Sequence, residues 1–220
     1  MSPALAVLAL WVLFGGTHML LSSTRVRPHL VARLGERPFQ GLYSLIALVT
    51  FVVLVRYYGA HRHEGALLWA LALAPPWREL LYLGNALALV LAAAGVMTPS
   101  PATVLGGPAE PRGVQRLTRH ALFMGMALWA LMHLAANGFA SDVAFFGGFA
   151  AFSVIGAWHQ DRRKLAGGEP TFAAFHAATP FWPLTGRETL RGLRELSPVA
   201  VIIGLGAALG VRLAHPWLFG

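Results

Sequence analysis

Residues 116–137 read RLTRHALFMGMALWALMHLAAN. Arg116, Arg119 and His120 form a basic edge, and the chain then runs uncharged and apolar except for His133 near its far end. A basic edge followed by about 17 apolar residues reads as a transmembrane helix entering the bilayer from its cytoplasmic side. A histidine at membrane depth marks a candidate functional site, because its ring nitrogens are costly in hydrocarbon unless something binds them.

The rest of the chain follows the same pattern. Of its 220 residues, 56% are hydrophobic and only 12% charged, against about 25% charged in a soluble domain. The apolar residues fall in long uncharged runs, which predicts an all-α, polytopic membrane bundle of about six transmembrane helices. The spans expected are about 3–21, 41–58, 80–97, the quoted stretch, 143–159 and 198–214, in one integral-membrane domain over residues 1–220. The first has no cleavage-site pattern after it and reads as a retained helix. The apolar segment 66–77 is too short to span and ends in Pro75-Pro76, so an interfacial or re-entrant course is expected. The aromatic stretch Thr171–Trp182 is expected on the membrane surface.

The basic residues set the orientation. Thirteen lie on one set of loops, at 25–37, 112–119, 162–164 and 187–194; only Arg56, Arg62, Arg78 and Arg212 lie on the other. The bias predicts both termini outside the cytoplasm. The +8 formal charge therefore reflects orientation and anionic lipid, not a nucleic-acid partner. The arginine-, alanine- and glycine-rich composition points to a GC-rich bacterial genome, hence to a bacterial inner membrane. With no cysteine, a disulfide framework, a thiolate-ligated haem, an iron–sulfur cluster and a cysteine zinc site are excluded.

Nine histidines remain as candidate ligands. His29, His61, His63, His176 and His215 read as solvated or interfacial. His18 shares a helix face with Trp11, Phe14 and Gly15. Gly15 and Gly16 beside it are expected to leave room for a flat group. At 1.5 Å per residue, His133 lies roughly 21 Å from the cytoplasmic edge and His18 roughly 6 Å, so depth alone groups His18, His120 and His159. Asp142 and Asp161 read as isolated, and no buried carboxylate is expected.

Five short stretches carry a resemblance: THMLLSS around His18, GERPFQGLYSL at 35–45, RLTRHALFMG at 116–125, LMHLAANG at 131–138 and GAWHQDRR at 156–163. In this order they resemble the NnrU family of bacterial membrane proteins, which includes the zeta-carotene isomerases of plants and cyanobacteria. The resemblance implies a heme b protein, iron being the metal. In one branch it implies a role in nitric oxide and nitrite metabolism during denitrification, with nitric oxide as a candidate ligand. In the other it implies cis–trans isomerisation of a lipophilic polyene such as zeta-carotene. The family's liganding histidines match His18 and His133, and the histidine of its Arg-His-Pro motif matches His120, the depth-based rival to His133. Arg119 is a candidate partner for haem propionates. Ala121 stands where the family has proline, so a less sharply fixed helix start is expected. A non-enzymatic membrane scaffold is the remaining alternative. A more distant likeness, to isoprenylcysteine carboxyl methyltransferases, places His159-Gln160-Asp161 where those enzymes carry paired glutamates. The missing pair argues against their methyl-donor site.

Overall fold

The computed structural model describes residues 1–71, 75–103 and 106–219, the side chains of 218 and 219 excepted. Its α-helices are α1 (Pro3–Leu21), α2 (Val26–Leu34), α3 (Glu36–Ala60), α4 (Trp77–Met97), α5 (Ala121–Ala136), α6 (Ala140–Ala166), α7 (Pro170–Ala178), α8 (Thr189–Arg194) and α9 (Pro198–Phe219). Among the described residues there is no strand, only an isolated antiparallel bridge between Leu67 and Phe139. The molecule is a helical membrane protein. Five helices, α1, α3, α4, α6 and α9, are long and apolar enough to cross a bilayer. The sixth expected span, α5, has 16 residues, about 24 Å of rise against a hydrocarbon core of about 30 Å.

The chain divides into two units. The first comprises residues 1–72 and 133–152. Trp11 of α1 is its centre. The indole Nε1 donates to the Phe145 carbonyl at 3.1 Å, and the rings of Phe14, Phe149 and Phe152 pack around it at 5.6–5.9 Å. Gly148 admits the indole: a Cβ there would lie 2.7 Å from Trp11 Cγ. Small residues let helices approach closely where lipid supplies no hydrophobic drive for association. From α3, Tyr58 stacks on Phe145, with centroids 3.9 Å apart and planes within 5°.

The apolar segment beginning at Ala66 is not helical where it is described. The Leu68 N–H donates to the Gly138 carbonyl at 2.8 Å and the Ala140 N–H to the Ala66 carbonyl at 2.9 Å, so the segment runs extended beside the turn before α6. Residues 72–74 of that expectation lie outside the described residues, as do 104–105 of the loop after α4. The arginine-rich loop 22–40 contains α2 and the first turn of α3.

The second unit comprises residues 73–132 and 153–220. There α4 packs along α9, with Gly204 against Val90. It also meets α5, where a Cβ on Gly125 would lie 2.7 Å from the Ala88 carbonyl oxygen. The aromatic stretch expected on the membrane surface is partly interior: Phe172 and Phe175 of α7 are buried with Ala102, while Trp182 stays exposed.

Candidate functional site

Two polar clusters take in His63, His120 and His176, and each is organised by a carboxylate that reads as isolated in the sequence. Asp142 and Asp161, both on α6, are 0% and 3% exposed.

In the first unit, Asp142 sits in the first turn of α6. The Tyr58 hydroxyl donates to Oδ1 at 2.9 Å, the His63 backbone N–H to Oδ1 at 3.1 Å, and His63 Nδ1 to Oδ2 at 2.8 Å. His63, read as simply solvated, is therefore one jaw of a clamp. Beside it the Ser141 hydroxyl accepts from the Glu64 N–H at 3.0 Å. A carboxylate at a helix N-terminus is favoured by the helix dipole, and three donors offset its desolvation. His133 lies over Phe146, with centroids 5.1 Å apart.

His18, in the same unit, shares a 2.7 Å hydrogen bond between Nε2 and the Tyr43 hydroxyl. Phe14 and Phe152 pack against its ring. The room expected beside Gly15 is filled by Phe152, whose Cδ2 would lie 3.4 Å from a Cβ there; beside Gly16 nothing lies within 4 Å. The rings on which His18 and His133 rest, Phe152 and Phe146, are six residues apart on α6, about 9 Å along its axis. The two histidines thus stand at different levels.

In the second unit the structure brings Arg119 and His120 together on Asp161. Arg119 Nε donates to Oδ2 and His120 Nε2 to Oδ1, each at 2.8 Å. Arg119 spends its other donors on the Thr179 carbonyl at 2.7 Å and on His176 Nε2 at 3.0 Å, and its guanidinium lies over Phe181. Burial, with the Arg119 cation beside it, pushes the His176 pKa down, which matches its role as acceptor. The Thr118 hydroxyl donates to the Phe181 carbonyl at 2.6 Å and the Arg119 N–H to the Pro180 carbonyl at 3.0 Å. The start of α5, expected to be loose without proline, is pinned by tertiary bonds instead. One turn earlier Arg116 pairs with Glu188 and Glu195. The Gly113 N–H and the Arg116 guanidinium hold the Glu195 carboxyl down at about 2.

His120 is 1% exposed. Its Nε2 is tied to Asp161, and its Nδ1 has no hydrogen-bond partner among the described residues.

The NnrU protein family matches residues 6–220. The chain belongs to the NnrU family. It is also 27% identical over 234 residues to a chloroplastic 15-cis-zeta-carotene isomerase of Arabidopsis thaliana, a match covering 100% of this chain and 62% of the relative. The isomerase of the same name from Zea mays is 27% identical over 232 residues, 98% of this chain and 61% of the relative. This NnrU chain thus spans about three-fifths of the curated relatives it matches. No solved structure matches it. The stretch holding Arg119 and His120 and the stretch holding Asp161 are two of the five that carry the family resemblance. The fold joins them through the Asp161 carboxylate.

Proposed function

We propose that this NnrU protein is a membrane-embedded isomerase that converts a cis double bond of a long lipophilic polyene to trans. The observation that carries the reading is the similarity of nearly the whole chain to about three-fifths of each of two 15-cis-zeta-carotene isomerases. It takes precedence over a role in nitric oxide or nitrite metabolism, which rests on the family resemblance alone. Isomerisation needs no net redox change and no second substrate, so the enzyme has only to bind the polyene and lower one rotation barrier. The large apolar side chains left exposed on α1, α3 and α9, such as Val12, Leu48 and Ile202, face the bilayer in which such a substrate dissolves.

Heme b is the cofactor that the resemblance implies, with His18 and His133, which stand at different levels, as its carried-over ligands. The chemistry such a group supplies is electron density lent to one double bond, which lowers its barrier to rotation. The protein's own part is to fix imidazoles in hydrocarbon and to exclude water from them. Phe14, Tyr43 and Phe152 pack against the His18 ring and Phe146 against that of His133. The arginine asymmetry supports a bacterial inner-membrane orientation with both termini outside the cytoplasm.

The test is conversion. Purified protein, supplemented with haem and reduced, is mixed with 15-cis-zeta-carotene in detergent, and the isomers are separated by chromatography. Turnover above a heat-denatured control is expected. No conversion in either the reduced or the oxidised state refutes the isomerase reading.

A further inference from the structure

Large apolar side chains exposed along the spans face hydrocarbon, but those of residues 182–193 lie outside every candidate span. Trp182, Leu184, Leu190 and Leu193 fall in the connection between α7 and α9 and are 49–71% exposed. A cluster of such residues away from the lipid-facing helices marks an interaction surface.

The connection is held firmly. The Leu184 N–H donates to the Leu117 carbonyl at 3.0 Å, the Arg119 N–H to the Pro180 carbonyl at 3.0 Å and the Thr118 hydroxyl to the Phe181 carbonyl at 2.6 Å. Leu184 has a φ of 65°, a left-handed conformation uncommon outside glycine. Backbone of this kind persists where the surroundings over-determine it, and here it leaves a leucine side chain on the outside. Gly192 fixes which side of α8 faces inward, because a Cβ there would lie 2.9 Å from both Arg116 Cβ and Leu117 Cδ2. At 3.6 residues per turn, Leu193 and Leu190 then stand about 100° and 160° round from it, and Arg194 and Arg191 about 200° and 260°. The outward half of α8 is thus apolar on one side and basic on the other. The nearby acids turn inward: Glu188 and Glu195 both pair with buried Arg116. Arg191 shares them, while Arg187 and Arg194 are exposed.

We propose that Trp182, Leu184, Leu190 and Leu193, with Arg187 and Arg194, seat this connection in the headgroup layer of an anionic leaflet. An outward face half apolar and half basic fits acyl chains on one side and anionic headgroups on the other. A protein partner would have to supply both an apolar surface and matching acids. The membrane supplies both and is already adjacent, because the spanning helix α9 begins at Pro198. The proposal needs neither the isomerase nor the haem reading.

The experiment uses the full chain in vesicles. The sequence has no cysteine, so a single Leu190→Cys takes a nitroxide, and power saturation measures its contact with oxygen, which concentrates in lipid, and with a neutral nickel chelate, which stays in water. In phosphatidylcholine containing phosphatidylglycerol, oxygen contact should dominate. In phosphatidylcholine alone the oxygen-to-nickel ratio should fall severalfold. Adding Arg187→Gln and Arg194→Gln should lower the ratio in the anionic vesicles to the same extent; the lipid comparison keeps both arginines and so does not depend on how that variant folds. Nickel contact dominating in anionic vesicles overturns the proposal. A nitroxide shielded from both reagents overturns it in favour of a protein contact, with a second copy or another chain. Equal lipid contact in the two kinds of vesicle overturns the anionic assignment.

Discussion

Replacing Gly148 by alanine tests the core of the first unit at a single methyl group. A Cβ at this position lies 2.7 Å from Trp11 Cγ and closer still to Cδ1 and Nε1, whereas carbon atoms pack best at about 3.5–4.0 Å. The indole therefore has to move by about 1 Å or more. It is held by its 3.1 Å bond to the Phe145 carbonyl and by rings on several sides, so movement breaks the bond or forces α1 away from α6. Overpacking of this kind costs about 1–3 kcal/mol, and a lost neutral hydrogen bond adds about 1. Against this, alanine in a helix interior gains roughly 0.5–1 kcal/mol over glycine. The net expectation is a loss of about 1–3 kcal/mol. Gly147 is the control: it is one residue away, in the same helix, with nothing within 4 Å of its notional Cβ. Gly147→Ala should be neutral or slightly stabilising, because only the propensity term remains. Reversible unfolding of each variant in mixed detergent, followed by circular dichroism, gives both numbers. Equal stability of the two variants, in either direction, would show that Trp11 does not pack against Gly148 as described.

Three further outcomes follow from the polar clusters and the charge pattern. Tyr58→Phe removes one of the donors on buried Asp142 and should cost about 1.5–3 kcal/mol in the same unfolding assay, the range for a hydrogen bond to a charged group; a change below about 0.5 kcal/mol argues that Asp142 is satisfied without it. The Glu195 carboxyl is held down at about 2 by the Gly113 N–H and Arg116, a depressed carboxylate, so its contribution is present above the unfolded value near 4.5 and is lost as pH falls towards 2. Hydrogen exchange at Gly113 should therefore accelerate across that window in wild type and show no such step in Glu195→Gln. A periplasm-dependent reporter fused after Gly220 should be active, and a cytoplasm-dependent one inactive; the opposite result reverses the orientation drawn from the arginines.

What the sequence shows and what it hides divide along a physical line. The long helices are legible because an apolar run in lipid must satisfy its own backbone, and arginines bound each run. The helix α2 is hidden because VRPHLVARL alternates charge with apolar residues and looks like any basic loop. The extended course of the segment starting at Ala66 depends on carbonyls and amides of residues 138–140, and no local pattern announces that pairing. The carboxylates are the costliest omission. Asp142 meets Tyr58 across 84 positions and Asp161 meets Arg119 across 42, so each is isolated in sequence and paired in space. For Asp161 a signal does exist. In a hairpin turning near residue 138, positions equally far on either side of the turn stand at similar levels, which brings residue 161 near the start of α5. An acid there, opposite Arg119 and His120, has to be a partner rather than a bystander. With only 16 residues, α5 is too short to carry both its ends clear of the hydrocarbon. A cation at its start then either thins the bilayer or finds a counter-charge on the neighbouring helix, and α6 provides one. The same carboxylate that neutralises Arg119 also orients His120. The buried ion pair and the fixed orientation of His120 are thus two consequences of one carboxylate.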